Sequence, residues 1–486
     1  MKIDAHIIII FSICFIFSSC QKINIPPPSP LSPVPSIPQL EWQEKELYAF
    51  VHFTVNTFTD KEWGYGDEQA NVFNPECFNP DQWAEVLKKA GFKGAILTAK
   101  HHDGFCLWPS RYTDHSVKNI SWKNGKGDVV RDFRDACLRH GIEFGIYLSP
   151  WDRNRADYSK SSYVEYYQNQ LKELLGQYGP AFEIWFDGAN GGDGFYGGAR
   201  EMRKIDDNVY YNWPETFEIV RSFNPKTIIR GDARAASDGR WCGNEKGFVG
   251  ETNWNMISPD TLKTLGNNRI ELLNTGYENG TIWMPAEVDV SIRPGWFYHA
   301  SEDSLVKTPD ELFEIYLNSV GRGSTLLLNV TPDKRGLIPE QDIKSLLLWK
   351  EKIDITFSNN LALKSKVTVS STRGKAEQYS ARNLTDGNKE TYWTTDDGII
   401  SGMIEFEFEK LQLIKYVVIQ EYIALGQRIK SFNIEVFQNE KWLQVANSTT
   451  IGYKRIVRID PVETNKLRIN ITEARSCPVI SNVEIY

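Results

Sequence analysis

The segment YVEYYQNQLKELLGQYGPAFEIWFDG (residues 163–188) decides the fold. Residues 163–178 repeat apolar side chains at helical spacing and stop before Gly179, a residue type that commonly ends a helix. The short apolar run 182–186 predicts a buried strand, and Asp187 stands at its carboxyl end. The segment therefore predicts one helix followed by one buried strand that ends in a polar residue.

The same unit recurs on both sides of this segment. Helical patterns at residues 80–90 and 128–140 each stop before a glycine. Further apolar runs predict buried parallel strands at residues 47–53, 94–99, 143–148, 227–230 and 324–330. No glycine-rich phosphate-binding turn follows the first strand, so the α/β pattern predicts a (β/α)8 TIM-like barrel rather than an open sheet. Residues 231–310 are rich in loops, and their strands cannot be counted from the pattern.

From about residue 357 the pattern changes to short runs of alternating apolar and polar residues, which predicts an all-β sandwich. With AEQYSARNLTDGNKETYWTT (residues 376–395) near its start, this part resembles a discoidin-type, galactose-binding-like module. That resemblance implies Asp386 and Glu484 as candidate ligands of a structural Ca²⁺ ion. The Asp-Gly-Asn stretch at 386–388 is equally consistent with a plain turn.

The composition narrows the class of protein. A chain of 486 residues exceeds the length at which one core keeps growing, so two folded domains are expected. Apolar residues at 41% and a formal charge of −8 describe an ordinary globular protein and argue against nucleic acid as a partner. The 15 tryptophans and 21 tyrosines suit a protein whose ligands present flat C–H faces, as sugars do.

The N-terminal residues predict export. Lys2 precedes an apolar run at residues 7–17, too short to span a bilayer, and Ser18 and Ser19 precede Cys20. This layout predicts a bacterial lipoprotein signal with Cys20 lipidated; an ordinary signal peptide with an incidental cysteine is the alternative. Residues 21–40 are rich in proline and predict a stiff tether that holds the folded part off the membrane. We expect an exported lipoprotein anchored to the membrane, periplasmic or at the cell surface.

These patterns divide the chain into a signal peptide at residues 1–20, a proline-rich tether at 21–40, a barrel at 41–355 and a β-sandwich at 356–486. The cysteines that follow residue 20 contain no C-x-x-C pair. Buried free thiols are therefore expected rather than a metal cluster or a disulfide framework.

The active site of a (β/α)8 barrel lies at the carboxyl ends of its strands. The polar residues at these ends are, in chain order, His52, His101, His102, Tyr147, Ser149, Asp187, Arg230 and Asp232. We expect several of them to converge on one mouth. Trp63, Trp241 and Trp296 are candidates for an apolar wall against a deoxy sugar, although any one tryptophan is more often part of a core.

Asp187 is a candidate nucleophile, because a fixed and partly desolvated carboxylate can attack an anomeric carbon. An Asp-Gly pair at the end of a strand can also be a plain turn. A retaining glycosidase holds a second carboxyl group about 5–5.5 Å from the first. The candidates for this second group are Glu245, which lies in a loop, and Glu251, Glu287 and Asp232.

The stretch KHHDGF (residues 100–105) contains two histidines in succession. Successive strand residues point to opposite faces, so one zinc ion would be hard for both to reach, and no H-E-x-x-H spacing is present. Hydrogen bonds from His101 and His102 to sugar hydroxyls are therefore expected rather than a catalytic metal. A core position for one of the two is the alternative.

Five segments in order resemble the retaining α-L-fucosidases of glycoside hydrolase family twenty-nine: AFVHFTVNTFTDKEW (49–63), TAKHHDGFCLW (98–108), GIYLSPWD (145–152), EIWFDGAN (183–190) and EVDVSIRPGWFYH (287–299). The resemblance spans about residues 40–350. It implies that Asp187 is the nucleophile, that Trp296 faces the sugar, and that catalysis needs no cofactor. The residues implied to hold the fucose hydroxyls are His52, Glu62, His101, His102 and Tyr147.

The segment RWCGNEKG (residues 240–247) resembles the acid/base segment of the family branch that acts on α-1,3/4-linked fucose of branched, Lewis-type glycans. This resemblance implies Glu245 as the acid/base of a double displacement, with Asp187 forming the covalent fucosyl-enzyme. The glycine-rich insertion at residues 191–213 departs from the family pattern, so Glu251 and Glu287 stay as alternatives.

Two other functions stay open at the level of sequence. A carbohydrate-binding protein on a degenerate barrel would keep the histidines and aromatic residues without either carboxylate, and the presence of Asp187 and Glu245 argues against it. A metal-dependent hydrolase on the same barrel would be inhibited by a chelator.

Overall fold

The computed structural model describes residues 25–231, 237–264 and 269–486. A barrel of eight parallel strands forms its first part: β1 (Leu47–Val51), β2 (Gly94–Lys100), β3 (Glu143–Leu148), β4 (Glu183–Trp185), β5 (Ile228–Arg230), β6 (Arg240–Trp241), β7 (Ala286–Ser291) and β8 (Thr325–Asn329). Neighbouring strands run in the order β5-β4-β3-β2-β1-β8-β7-β6, and a bridge from Arg230 to Gly239 brings the two ends together. The prediction of a TIM-like barrel is confirmed.

The helices alternate with these strands and pack around them. In the described residues they are α1 (Ile37–Gln43), α2 (Val55–Thr59), α3 (Pro80–Lys89), α4 (Val129–His140), α5 (Ser161–Tyr178), α6 (Trp213–Phe223), α7 (Pro259–Thr264), α8 (Arg269–Thr275), α9 (Pro309–Asn318) and α10 (Glu340–Thr356). Local sequence sets their ends. In α4, for example, the Asp128 side chain accepts a hydrogen bond from Arg131 N, and Gly141 adopts a left-handed conformation after the last turn.

The loop-rich stretch that the sequence left uncounted contains β6 and β7. Strand β6 is only two residues long, which is too short to show any periodicity in the sequence. A separate antiparallel pair, Met256–Ile257 with Ile282–Trp283, lies between them in the chain.

Alternation along the strands determines which residues face the inside of the barrel. In β4 and its extension, Glu183, Trp185 and Asp187 share one side, while Ile184 and Phe186 pack in the large core that contains the helices. The interior cluster contains Tyr48 and Phe50 of β1 together with Trp185. The same alternation brings His52 to the inner side at the carboxyl end of β1.

The second part is an antiparallel sheet domain, called the β-domain here (residues 366–485). Its strands are β9 (Lys366–Val369), β10 (Trp393–Thr394), β11 (Gly402–Glu421), β12 (Ile429–Gln438), β13 (Lys441–Ser448), β14 (Arg455–Ala474) and β15 (Val479–Ile485). The order is β10-β15-β11-β14-β12-β13, with β9 paired to β11. Strand β11 has irregularities at 407–412 and 414–416 and pairs with β14 on both sides of them. Along its other edge, the first half pairs with β9 and the second half with β15, around one buried core.

The described part of the proline-rich segment differs from the predicted tether. Residues 25–36 lie along the β-domain, where the Tyr379 hydroxyl donates to Ile25 O at 3.1 Å and Leu31 N donates to Leu425 O at 2.9 Å. Helix α1 begins at Ile37, inside the range predicted to be tether. The physical reason is that proline-rich backbone, with few donors of its own, offers carbonyl oxygens that side chains of a neighbouring domain can bind.

Two further features bear on the sequence predictions. Among the described residues, no helix combines the length and apolar character needed to cross a bilayer. The five described cysteines are free thiols; four are buried as expected, whereas Cys77 is exposed.

Candidate active site

A cavity of about 480 Å³ opens at the carboxyl ends of the barrel strands. The predicted residues that line it are His52, Trp63, His101, His102, Tyr147, Asp187, Arg230, Trp241, Glu245 and Trp296. Residues that the sequence analysis did not select also line it, namely Phe50, Trp185, Phe186, Gly188, Ala189, Arg269 and Asp289. Asp232 lies outside the described residues.

Asp187 lies at the inner surface of this cavity, and its side chain is 22% exposed. Ala189 N donates to Oδ1 at 2.7 Å, and the Tyr147 hydroxyl donates to Oδ2 at 2.8 Å. These two bonds orient the carboxylate without neutralising its charge. Oδ2 also lies 3.7 Å from His102 Nε2. The arrangement leaves a fixed carboxylate accessible to a ligand in the cavity.

Both consecutive histidines face the cavity. Strand β2 ends at Lys100, so the chain is already turning at His101 and His102, and their ring centroids lie only 4.1 Å apart. The expected alternation between faces therefore does not apply to this pair. Burial lowers the pKa of His102 to about 4 and the pKa of His101 well below its usual value, so both rings are neutral at physiological pH.

Hydrogen bonds set the tautomers of two of these histidines. Ser149 Oγ donates to Trp151 O at 2.7 Å, so it accepts a hydrogen bond from the protonated Nδ1 of His102, also at 2.7 Å. His52 Nδ1 likewise donates to Asn329 Oδ1 at 2.8 Å, and burial lowers the pKa of His52 to about 4. Each ring thereby keeps an unprotonated Nε2, which can accept a hydrogen bond from a hydroxyl.

Glu62, predicted from the sequence as a sugar ligand, is not among the residues that line the cavity. Its carboxylate accepts from Trp296 N at 2.8 Å and from Phe297 N at 3.1 Å, and it lies 2.7 Å from His299 Nε2. A Cβ at Gly295 would come within 2.6 Å of Glu62 Oε1, so only glycine allows this approach. Glu62 therefore holds the Trp296 loop in place, and its direct contact with a hydroxyl stays a prediction.

Trp63 forms part of the rim and is 52% exposed. Its ring packs edge-on against His102 and Trp151, with centroids 5.1 and 5.6 Å away. The backbone next to Trp63 is bound by Arg153, whose Nη1 donates to Gly64 O at 2.6 Å. Arg153 Nη2 also bonds Asp193 at 2.8 Å. The glycine-rich insertion, which carries Asp193, thus supports the loop that presents Trp63.

Glu245 lies on the opposite rim, in the loop after β6. Gly243 (φ +83°) and Gly247 (φ +84°) supply the left-handed conformations that this tight loop needs. Trp296 Nε1 donates to Glu245 Oε2 at 3.3 Å. The residue is exposed, yet partial burial of its carboxyl group raises the pKa of Glu245, and the charges of Asp187 and Glu62 raise it further. A carboxyl with a raised pKa can act as a proton donor near neutral pH.

The two alternative glutamates lie elsewhere. The Glu251 side chain is 75% exposed and lies near Arg322, while its carbonyl accepts from Thr449 and Arg455 of the β-domain region. Glu287 is fully buried inside the barrel, where Arg230 Nε and Trp185 Nε1 each donate to Oε1 at 2.8 Å. Neither glutamate lines the cavity.

Asp289 is a carboxyl group of the site that the sequence analysis missed. It is 3% exposed, and Trp241 Nε1 donates to its Oδ1 at 2.9 Å. Burial, and then the charge of Glu245, raise the pKa of Asp289 well above its usual value. The sequence EVDVS (residues 287–291) could have indicated this position. Glu287, Asp289 and Ser291 alternate along one strand, so their side chains share its inner face.

The described side chains also bear on the metal-binding predictions. In residues 25–231, 237–264 and 269–486, no group of three or more His, Cys, Asp or Glu could hold a metal ion. At the calcium candidates, Asp386 binds Asn388 N and the Thr391 hydroxyl, and Glu484 binds Asn482 and Tyr486. Asp386 thus accepts hydrogen bonds within its own loop, and Glu484 accepts them from residues in and next to its strand β15, so a calcium site at these carboxylates stays a prediction.

Comparison with known proteins agrees with this geometry. Residues 32–349 match the family model described as alpha-L-fucosidase, and residues 366–485 match that of the F5/8 type C domain. The chain is 42% identical to alpha-L-fucosidase 1 of Arabidopsis thaliana, over 96% of this chain and 90% of that protein.

Two solved structures show the same architecture. The structure of a glycoside hydrolase 29 family member from an unknown rumen bacterium superposes with a TM-score of 0.85 at 43% identity, covering 94% of this chain and 78% of that one. A GH29 fucosidase from Ruminococcus gnavus in complex with fucose gives a TM-score of 0.86 at 33% identity, covering 95% and 96% of the two chains.

Proposed function

The chain belongs to the alpha-L-fucosidase family of glycoside hydrolases, and on this premise we propose that it removes α-1,3/4-linked fucose from branched, Lewis-type glycans with retention of configuration. One observation carries the mechanistic part of the proposal. Asp187 and Glu245 line the same cavity, and the first is held as an accessible carboxylate while the second has a raised pKa. A retaining glycosidase needs this division between a nucleophile and a proton donor.

In the proposed first step, Asp187 attacks the anomeric carbon and forms a covalent fucosyl-enzyme. The hydrogen bonds from Ala189 N and the Tyr147 hydroxyl orient the carboxylate for this attack. Glu245 donates its proton to the departing glycosidic oxygen at the same time, so the leaving sugar departs as a neutral alcohol.

In the second step, Glu245 takes a proton from a water molecule, which attacks the same anomeric carbon and releases fucose. Two inversions give net retention. The neutral histidines His52, His101 and His102 would bind the sugar hydroxyls through nitrogen atoms that can accept a hydrogen bond. Trp63 and Trp296 would supply apolar surface for the C–H face and the methyl group of fucose.

The resemblance of RWCGNEKG to the α-1,3/4 branch supports the linkage assignment. In the structure this segment forms the rim that carries Trp241 and Glu245, where the sugar next to fucose would lie. The test compares a Lewis-type trisaccharide with an aryl α-L-fucoside, and NMR identifies the anomer released first. We expect α-fucose from the trisaccharide and little hydrolysis of the aryl substrate.

Each other outcome contradicts a different part of the proposal. Hydrolysis of the aryl fucoside alone would reject the linkage while keeping the chemistry, and β-fucose as the first product would reject retention. Binding of the trisaccharide without release of fucose from either substrate would favour the carbohydrate-binding alternative.

We also propose that the protein is exported and anchored through a lipid on Cys20. The sequence of residues 1–20 supports this proposal, and these residues lie outside the described part of the structure. Growth of an expressing bacterium with an alkyne fatty acid should label the wild-type protein but not Cys20→Ala. A labelled Cys20→Ala variant, or an unlabelled wild type, would contradict the proposal.

We propose finally that catalysis needs no metal or cofactor, since two carboxyl groups and hydrogen-bond donors supply the required chemistry. Dialysis against EDTA should leave kcat/KM unchanged. The same experiment tests the calcium expectation for the β-domain, because loss of a structural Ca²⁺ would lower the melting temperature without changing the chemistry. Loss of activity at unchanged melting temperature would instead favour the metal-dependent hydrolase.

A further inference from the structure

The N-terminal strap, defined as residues 25–36, is bound to one end of the β-domain. Gln378 Nε2 donates to Ile25 O at 2.7 Å, Arg373 Nε donates to Pro26 O at 2.8 Å, and Arg428 Nη2 donates to Ser29 O at 2.7 Å. The Ile25 side chain packs with a cluster that includes Tyr379 and Tyr392. The chain therefore leaves the β-domain at a defined place.

Few residues separate this place from Cys20 along the chain. Only residues 21–24 separate Cys20 from Ile25, and a fully extended chain spans roughly 3.5 Å per residue, so the two Cα atoms lie within about 18 Å of each other. A lipid on Cys20 would thus bring this end of the β-domain next to the bilayer. The docked strap leaves little of the predicted tether free to hold the protein away from the membrane.

The same end of the β-domain carries exposed apolar side chains. The Arg373 guanidinium that binds the strap also binds Asp397 through two hydrogen bonds of 2.8 and 3.0 Å, and Gly374 N donates to Asp396. The loop held in this way continues to Ile399 and Ile400, which are 38% and 47% exposed. These side chains therefore lie beside the point from which the chain runs to Cys20.

The strap then continues to the amino-terminal end of the barrel. In α1, Trp42 Nε1 donates to Glu183 Oε2 at 2.8 Å, at the first residue of β4. The β-domain contacts this end as well, because Glu46, just before β1, binds Lys454 and Tyr453. Gly321, before β8, lies where a Cβ would be 3.2 Å from Ile456. The cavity opens at the opposite, carboxyl end of the strands.

We propose that the anchored enzyme contacts the bilayer through the strap-bearing end of its β-domain, with Ile399 and Ile400 at the lipid surface. The fucosidase cavity then opens away from the membrane. The β-domain, rather than a flexible tether, then sets the distance between the active site and the bilayer. This orientation rests on the lipid anchor proposed above. It gives large, branched glycans in the surrounding medium free access to the cavity.

The test uses the full-length lipidated protein in phosphatidylcholine vesicles that contain a nitroxide-labelled lipid as quencher. The exposed thiol is removed by Cys77→Ser, and a fluorophore is attached to either Ile400→Cys or Met202→Cys. Met202 is 62% exposed and lies in the antiparallel pair formed by Gly192–Gly194 and Glu201–Arg203, within the glycine-rich insertion that supports the loop carrying Trp63. We expect the label at position 400 to lose at least half of its fluorescence and the label at 202 less than a tenth.

Equal quenching at both positions, or stronger quenching at 202, would overturn the orientation. Flotation separates this failure from a failure of the anchor, since a protein that does not float with the vesicles, or whose Cys20→Ala variant floats equally, has no lipid on Cys20.

A second comparison tests the strap itself. Gln378→Ala combined with Tyr379→Phe removes both side-chain hydrogen bonds to Ile25 O and should reduce quenching at position 400 at least twofold. Gln438→Ala, which removes an exposed amide elsewhere in the β-domain, should leave it unchanged. Unchanged quenching in the strap variant would contradict the role of the docked segment.

Discussion

The barrel contains two pairs of carboxyl groups with contrasting surroundings. Asp187 and Glu245 line the cavity, and neither forms an ion pair with Lys or Arg among the described residues. Glu183 and Glu287 are fully buried inside the barrel, where they receive hydrogen bonds from Trp42, Trp185, Tyr48 and Arg230. We call Asp187 and Glu245 the outer pair and Glu183 and Glu287 the inner pair. The outer pair is accessible to a ligand, whereas the inner pair is engaged in structural contacts.

This difference shows that residue type and strand position do not determine what a carboxyl group does. Glu183 and Asp187 lie on the same side of β4 and its extension, four residues apart in the chain. Burial and the nearby charge of Glu287 raise the pKa of Glu183 well above its usual value, which favours its protonated form. Asp187, in contrast, is accessible to a ligand, and two hydrogen-bond donors orient its carboxylate. Nucleophilic attack requires both conditions.

The largest expected effect concerns the outer pair. Asp187→Ala should reduce kcat for fucoside hydrolysis by roughly 10⁴-fold or more, because loss of a nucleophile removes the covalent pathway. The melting temperature should stay close to that of the wild type, since the side chain is partly exposed. Near-normal turnover in a folded variant would reject the assignment.

Glu245→Ala should reduce kcat/KM by about 10²–10⁴-fold on a natural glycan, the usual contribution of general acid catalysis. The loss should be smaller on an aryl fucoside whose leaving group needs no proton. Added azide should restore turnover and give a fucosyl azide detectable by mass spectrometry. If Glu245→Ala behaves like wild type on both substrates, another carboxyl group, Asp289 first, would be the acid/base.

The inner pair should respond in stability rather than chemistry. Glu287→Gln removes the buried negative charge that pairs with Arg230 and should cost about 3–5 kcal/mol in the free energy of unfolding. Glu183→Gln is the matched control, because a neutral amide resembles the protonated acid and should cost much less. Urea or thermal unfolding of the two variants measures the difference. Equal losses would contradict the proposed charge states.

The smallest effect concerns the cavity histidines, which lie near Asp187 and whose burial favours the neutral form of the ring. The folded pKa values of His52 and His102 are about 4, below the unfolded value of about 6.5, so the unfolded state binds more protons between these pH values. Stability should be full above pH 6.5 and fall as the pH drops towards 4.

At pH 5 the expected loss is on the order of 2 kcal/mol for each of these two histidines. Thermal unfolding at pH 7 and pH 5 measures it, and His102→Gln should show a smaller decrease than wild type. A stability that rises from pH 7 to pH 5 would contradict the neutral state of the buried rings.

Local patterns predicted much of the fold and of the cavity. Helices that end at glycines and buried apolar strands were sufficient to predict the barrel. Residues predicted at strand ends, such as His52, Tyr147 and Asp187, line one cavity. Strand β6 and the inward-facing Asp289 were missed, because a two-residue strand shows no period and its position depends on its neighbours. The position of Glu62 behind Trp296 could not be predicted either, since it depends on a contact between distant loops.

By itself the sequence determined the order of helices and strands, the change to a β-domain, and the residue types available at each strand end. Those features follow from side-chain periodicity and backbone preferences, which act over a few residues. Only the tertiary structure decided which glutamate lines the cavity, which is buried with Arg230, and where the N-terminal strap binds. These outcomes depend on burial, charge and hydrogen bonds between residues far apart in the chain, and no local pattern encodes them.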